Sequence, residues 1–145
     1  MKQDHVRANT SAATNQAIDN QMIATLQTFS TASLDEINQR LDKIEKEYNV
    51  ERVLELNAST LAFIGVLLGA FVNIYWLILP ALVLPFLALH AVQGWCPPLP
   101  ILRALKIRTQ KEIDVEKYSL KILRGDFDGL QKEKDIPKIL QIVRK

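Results

Sequence analysis

The sequence predicts an all-α membrane protein: a two-helix transmembrane hairpin with amphipathic cytoplasmic helices on both sides. Three observations predict it. Residues 56–95 contain no Asp, Glu, Lys or Arg, although both flanks are dense in them. That stretch is about twice the ~20 apolar residues needed to cross a hydrocarbon core ~30 Å thick. Near its middle stands Asn73, a residue that tolerates turns, followed by Tyr75 and Trp76, which favour the head-group interface. A single helix over the whole stretch would extend for about 60 Å. The chain is therefore expected to turn back, giving spans at 56–76 and 77–95.

Residues 1–17 are polar and lack apolar periodicity, so a flexible N-terminus is expected there. Cytoplasmic amphipathic helices are expected over 18–55. Ile18, Met22, Leu26 and Phe29 recur at helical spacing until Ser30–Ser33 interrupts them. Ser33 followed by Glu36 reads as a capping box, and Asp35 and Glu36 suit the positive end of the helix dipole. Leu34, Ile37, Leu41 and Ile44 then alternate at spacings of three and four up to Tyr48. This is a coiled-coil seam of about two heptads. It serves either as an oligomer interface with a second copy or as a packing face for the chain's own C-terminal tail.

Orientation follows from the positive charges. Arg40, Lys43, Lys46 and Arg52 precede the spans; Arg103, Lys106, Arg108 and Lys111 follow them, and the turn has none. Both termini are therefore expected to be cytoplasmic. After Trp95, at the second interface, the run Cys96-Pro97-Pro98-Leu99-Pro100 cannot continue the helix. Pro100 suits the start of a short interfacial helix, with Arg103, Lys106 and Arg108 at lipid head groups. The rest of 96–145 reads as a basic helical tail. One helix is expected from Lys111 to Arg124, burying Ile113, Leu120 and Leu123 and stopped by Gly125. A second helix has one face formed by Ile136, Ile139, Leu140 and Val143.

Charge divides the same way. Residues 1–55 carry 6 Lys+Arg against 9 Asp+Glu, and residues 96–145 carry 12 against 7, within a chain of 145 residues and net charge +2. A basic tail beside a membrane suits anionic head groups, or pairs with the acidic segment on the same face. The first apolar run begins beyond residue 50, so the hairpin is expected to act as an uncleaved signal.

Few residues suggest chemistry. Gly65 and Gly69, extended by Ala58 and Ala62, form a small-residue stripe in the first span. Such a stripe lets helix backbones approach closely, either between two copies as an oligomer interface or within one hairpin. Pro80 and Pro85 lie in the second span, and each removes a backbone donor. His90 stands about one turn from the interface, with Gln93 near enough to bond it. Cys96, the only cysteine, excludes an intrachain disulfide and a cysteine-based zinc site. A thiol reacts as thiolate, which a helix C-terminus disfavours, so a buried structural role is the default for Cys96. A sulfur or interface site at Cys96 and His90 is the alternative. There is no phosphate loop, no nucleophile–base pair and no basic–aromatic interleaving. No enzyme, cofactor, metal or nucleic-acid partner is expected.

Asn49-Val50-Glu51-Arg52 leads into a glycine-containing span, a second span follows, and Gly94-Trp95-Cys96-Pro97-Pro98-Leu99 closes the stretch. Residues 49–107 thereby resemble the YgaP-like two-helix inner-membrane domain of bacteria, whose members usually show a Cys-Pro pair after the second span. The resemblance implies a bacterial inner-membrane location. Some members carry a rhodanese sulfurtransferase domain on the same chain, which implies a link to sulfur; this sequence has no such region and no second cysteine. The expected function is a small non-enzymatic scaffold or accessory subunit that binds the lipid bilayer and assembles with itself or a partner. The alternative is a membrane sulfur relay with Cys96 as persulfide acceptor.

Overall fold

A computed structural model describes residues 4–128, which contain helices and no strand. The expected face of Ile136, Ile139, Leu140 and Val143 lies outside the described residues. The chain divides into two compact units. The first takes in the described residues up to Asp19 together with Tyr48–Glu112, and the second takes in Asn20–Glu47 and the described residues from Ile113.

In the first unit the described residues of the polar N-terminus are largely helical. Helix α1 (His5–Ala8) is capped by Asp4, whose carboxylate accepts from the amides of Val6 and Arg7. Helix α2 (Ala12–Phe29) begins well before Ile18, because the Ser11 hydroxyl accepts from the Thr14 amide and caps its first turn. Val6 and Ile18 are buried.

Helix α4 (Val50–Phe71) is capped by Asn49, whose Oδ1 accepts from the Arg52 amide at 2.7 Å. A 3-10 turn (Ile74–Leu77), capped by Asn73, leads into helix α5 (Ile78–Gln93). At 1.5 Å per residue α4 is about 33 Å long and α5 about 24 Å, and the 3-10 turn lengthens the second helical stretch to Ile74–Gln93. Both stretches are long and apolar enough to cross a membrane. In the most apolar 18 residues of each, only 17% and 11% are buried.

The two helices touch through the small-residue stripe. A Cβ built on Gly65 would lie 2.5 Å from Pro80 Cδ, and one on Gly69 would lie 2.6 Å from Leu77 Cδ2. Gly65 and Pro80 are both buried, as is Ala58, while Ala62 is half-buried. The stripe proposed as an oligomer interface is therefore occupied by the chain's own second apolar helix. Pro80 sits in the first turn of α5, where an amide has no intrahelical partner to lose, so of the two prolines only Pro85 interrupts the ladder.

Helix α5 ends at Gly94, whose φ of 71° is left-handed and whose missing Cβ leaves room for His5. Helix α6 (Leu99–Ala104) follows. Its end is a Schellman motif: Lys106 N–H donates to the Arg103 carbonyl and Ile107 N–H to that of Leu102. Lys106 takes φ 60° there, a position that usually falls to glycine.

In the second unit, helix α3 (Leu34–Glu45) has the expected capping box, with both Ser33–Glu36 bonds formed. Its seam is filled from within: Ile37, Leu41 and Ile44 cluster with Ile113 and Leu120 of α7 (Gln110–Arg124) and with Leu26 and Phe29 of α2. These three are thus buried in the chain's own core, the second of the two roles the seam allowed, and Leu34 is left 60% exposed. Leu123, expected in the core, is also exposed; Glu116 and Lys121 are buried instead. Glu116 is held by Arg40 at 2.7 Å.

Candidate functional site

The functional features of the first unit gather where the charge-free run begins and ends. Cys96 lies there in an apolar cluster with Val6, Val50, Leu54, Leu99 and Leu102 and is 3% exposed. Burial pushes its thiol up from the ordinary range, with the Leu99 amide pulling the other way. The thiolate is therefore disfavoured, and burial is the main cause.

His90, in the last turns of α5, is buried, and its Nδ1 has no hydrogen-bond partner. The Gln93 contact foreseen for it is not formed; the Gln93 carbonyl accepts from Asn9 Nδ2 instead. Across from His90, Glu51 of α4 has a buried Oε2 that is likewise without a partner. Both side chains line a cavity of about 500 Å³ together with Asp4, His5, Glu55 and Lys111. A second cavity, about 750 Å³ and mainly apolar, runs between α4 and α5; His90, Leu87 and Cys96 are in its lining. His90 and Cys96 therefore share one wall.

Arg103 was expected at lipid head groups and is instead 1% exposed. Its guanidinium donates twice to Glu112, and also to Thr10 Oγ1, Asn15 Oδ1 and the Ile107 carbonyl. Arg7 reaches the same carboxylate at 2.8 Å and pairs with Asp19 at 2.7 Å. The two arginines tie helices α1 and α2 to the segment after α6. Of the other two residues expected at head groups, Lys106 is exposed and Arg108 half-buried, and the Arg108 carbonyl accepts from the Val50 amide.

Glu112 was missed by sequence reasoning, although a signal was present. Thr109 and Glu112 stand at capping-box spacing, and the box is formed: Thr109 N–H donates to Glu112 Oε2 at 2.8 Å, and Glu112 N–H to Thr109 Oγ1 at 3.3 Å. Glu51 was missed because a carboxylate in a helix's first turn reads as a dipole complement.

Among the described residues no group of His, Cys, Asp and Glu is arranged to hold a metal ion. No family model, no curated protein and no solved structure matches the chain.

Proposed function

We infer that this is a small inner-membrane protein of the YgaP-like type. In this reading α4 and α5 cross the bilayer as a hairpin, both termini are cytoplasmic, and the chain serves as a non-enzymatic scaffold or accessory subunit. The observation that carries the reading is the exposure of the two apolar helices. Phe63, Phe71, Val72, Ile78 and Val92 are each more than 60% exposed. A pair of core helices in a water-soluble protein would bury such side chains, whereas lipid tails solvate them at no cost. The lengths agree, since α4, about 33 Å long with its charged first turns at head-group depth, and, with the 3-10 turn, a similar second stretch suffice to cross a core of ~30 Å. Every charged residue of the first unit lies outside residues 56–95, Glu51, Arg52 and Glu55 falling in the first two turns of α4, and Tyr75, Trp76 and Trp95 stand at the two ends of the charge-free run.

An assembling role is supported by the second unit, whose charged helices still expose Ile23, Val115 and Ile122 to the aqueous phase. These residues offer apolar surface to a second copy or a partner chain. The buried, neutral Cys96 gives the sulfur-relay alternative no support. Fractionation tests the membrane reading: the full chain should stay with membranes through alkaline carbonate and high-salt washes and leave them only with detergent. Release by carbonate or salt alone would overturn it.

A further inference from the structure

We propose that the first unit binds an ethanolamine phospholipid, with the primary ammonium seated in the acidic cavity and an acyl chain in the apolar groove beside it. The inference rests on the membrane reading and adds a ligand to it. The cavity lining carries three carboxylates, Asp4, Glu51 and Glu55, against one lysine, Lys111. Asp4 is already engaged, accepting from two amides and from the Thr109 hydroxyl. Glu51 and Glu55 set the excess negative charge, which suits a cation.

The unpartnered atoms narrow the class of cation. His90 is 9% exposed with Nδ1 unbonded, and Glu51 Oε2 is buried and unbonded. A buried acceptor without a donor is costly, and few such groups persist in folded proteins. The terminal torsions of glutamate and histidine are broad, so a small turn presents either group to the cavity that both line. One primary ammonium has three N–H donors, enough for the carboxylate and the imidazole together. A quaternary ammonium has the charge but no N–H, and a metal ion finds no fitting ligand group among the described residues.

Depth and the neighbouring groove select a lipid over a soluble amine. Glu51 and Glu55 stand in the first two turns of α4, immediately before the charge-free run, and His90 stands near its end. In the membrane reading that is head-group depth. The apolar groove, lined by Leu54, Ala58, Leu61, Leu82 and Phe86, shares Leu87 and His90 with the acidic cavity. One amphiphile thus has a place for its head and a place for a chain on two sides of the same wall.

The test uses the full chain, extracted and delipidated in a mild detergent, and titrated with dioleoyl phosphatidylethanolamine. Dioleoyl phosphatidylcholine and dioleoyl phosphatidylglycerol are titrated in parallel, with retained lipid read by native mass spectrometry. Phosphatidylethanolamine should bind about tenfold more tightly than phosphatidylcholine, the scale of one hydrogen bond to a charged group. Glu51→Gln should reduce that preference to near unity. The comparison of head groups on the unmodified chain stands even if Glu51→Gln does not fold. Equal binding of the ethanolamine and choline lipids, a preference for phosphatidylglycerol, or a preference unchanged in a folded Glu51→Gln protein would each overturn the proposal. Displacement of the bound phospholipid by free ethanolamine at millimolar concentration would reassign the site to a soluble amine and overturn the lipid assignment. A chain that needs no detergent for extraction would defeat the membrane reading itself. A chain that needs detergent but binds both zwitterionic lipids alike defeats only the lipid site.

Discussion

Arg103 and Glu112 meet in a two-pronged ion pair: Nη1 donates to Oε2 and Nη2 to Oε1, each at 2.8 Å, with the side chains 2% and 3% exposed. The same carboxylate also accepts from Arg7 and from the Thr109 amide. One glutamate thereby compensates two guanidinium groups and caps α7. Removing a partner from such a buried arrangement strands charge away from water. Glu112→Ala should therefore destabilise the first unit by about 3–5 kcal/mol. Asp19→Ala, at the partly exposed end of the network, should cost less than about 1 kcal/mol. Thermal unfolding followed by circular dichroism in detergent checks this, and equal losses for the two variants would contradict it.

Acid should loosen the outer end of that network. The Arg7 guanidinium, bonded to Asp19, holds the Asp19 carboxyl below its ordinary value. The folded chain thus takes up this proton at lower pH than the unfolded chain. The contribution is complete above the unfolded carboxyl value of about 3.9 and is lost as pH falls through the depressed folded value. Asp19→Asn should flatten that part of the stability profile below about pH 4, measured as unfolding midpoint against pH. An unchanged acid limb would show that the pair contributes nothing.

The small-residue stripe should matter within one chain. Gly65→Ile forces a branched side chain against Pro80, an overpacking expected to cost about 1–3 kcal/mol. Phe63→Ala, on the exposed face, should have little effect on stability. Chemical crosslinking between copies should be the same for the Gly65→Ile and unmodified proteins. A selective loss of crosslinked dimer with unchanged unfolding would return the stripe to an intermolecular role.

Cys96 should be slow to react. Its burial disfavours the thiolate, so iodoacetamide at neutral pH should modify it readily only after denaturation. Fast alkylation of the folded chain, or one extra sulfur on the Cys96 peptide after exposure to a sulfurtransferase and thiosulfate, would favour the relay reading.

The helices that sequence reveals most clearly are those with local signals. The two apolar stretches, the Asn73 cap, the Ser33–Glu36 box and the Gly125 stop all act within a few residues; the cap, the box and the stop fall at the expected residues, while the stretches run over Val50–Phe71 and Ile74–Gln93 rather than 56–76 and 77–95. What sequence concealed depends on distant partners. Arg103 is separated from Thr10 and Asn15 by most of the chain, and no local pattern distinguishes a basic residue bound inward from one at a head group. The seam of α3 was legible as a face, but periodicity does not specify what fills it; Ile113 and Leu120 do. His90 and Glu51 are likewise unremarkable until the backbones of α5 and α4 bring them to one cavity.

The orientation of α4 and α5 in a bilayer is the central claim, and cysteine accessibility measures it most directly. In a Cys96→Ala background, single cysteines replace Tyr75 at the 3-10 turn, Gln16 in α2 and Asp128 after α7, all exposed positions. A membrane-impermeant maleimide applied to intact, outer-membrane-permeabilised cells should modify Tyr75→Cys. It should reach Gln16→Cys and Asp128→Cys only after the inner membrane is broken. Labelling of either tail position in sealed cells, or protection of Tyr75→Cys, would contradict the hairpin with both termini inside.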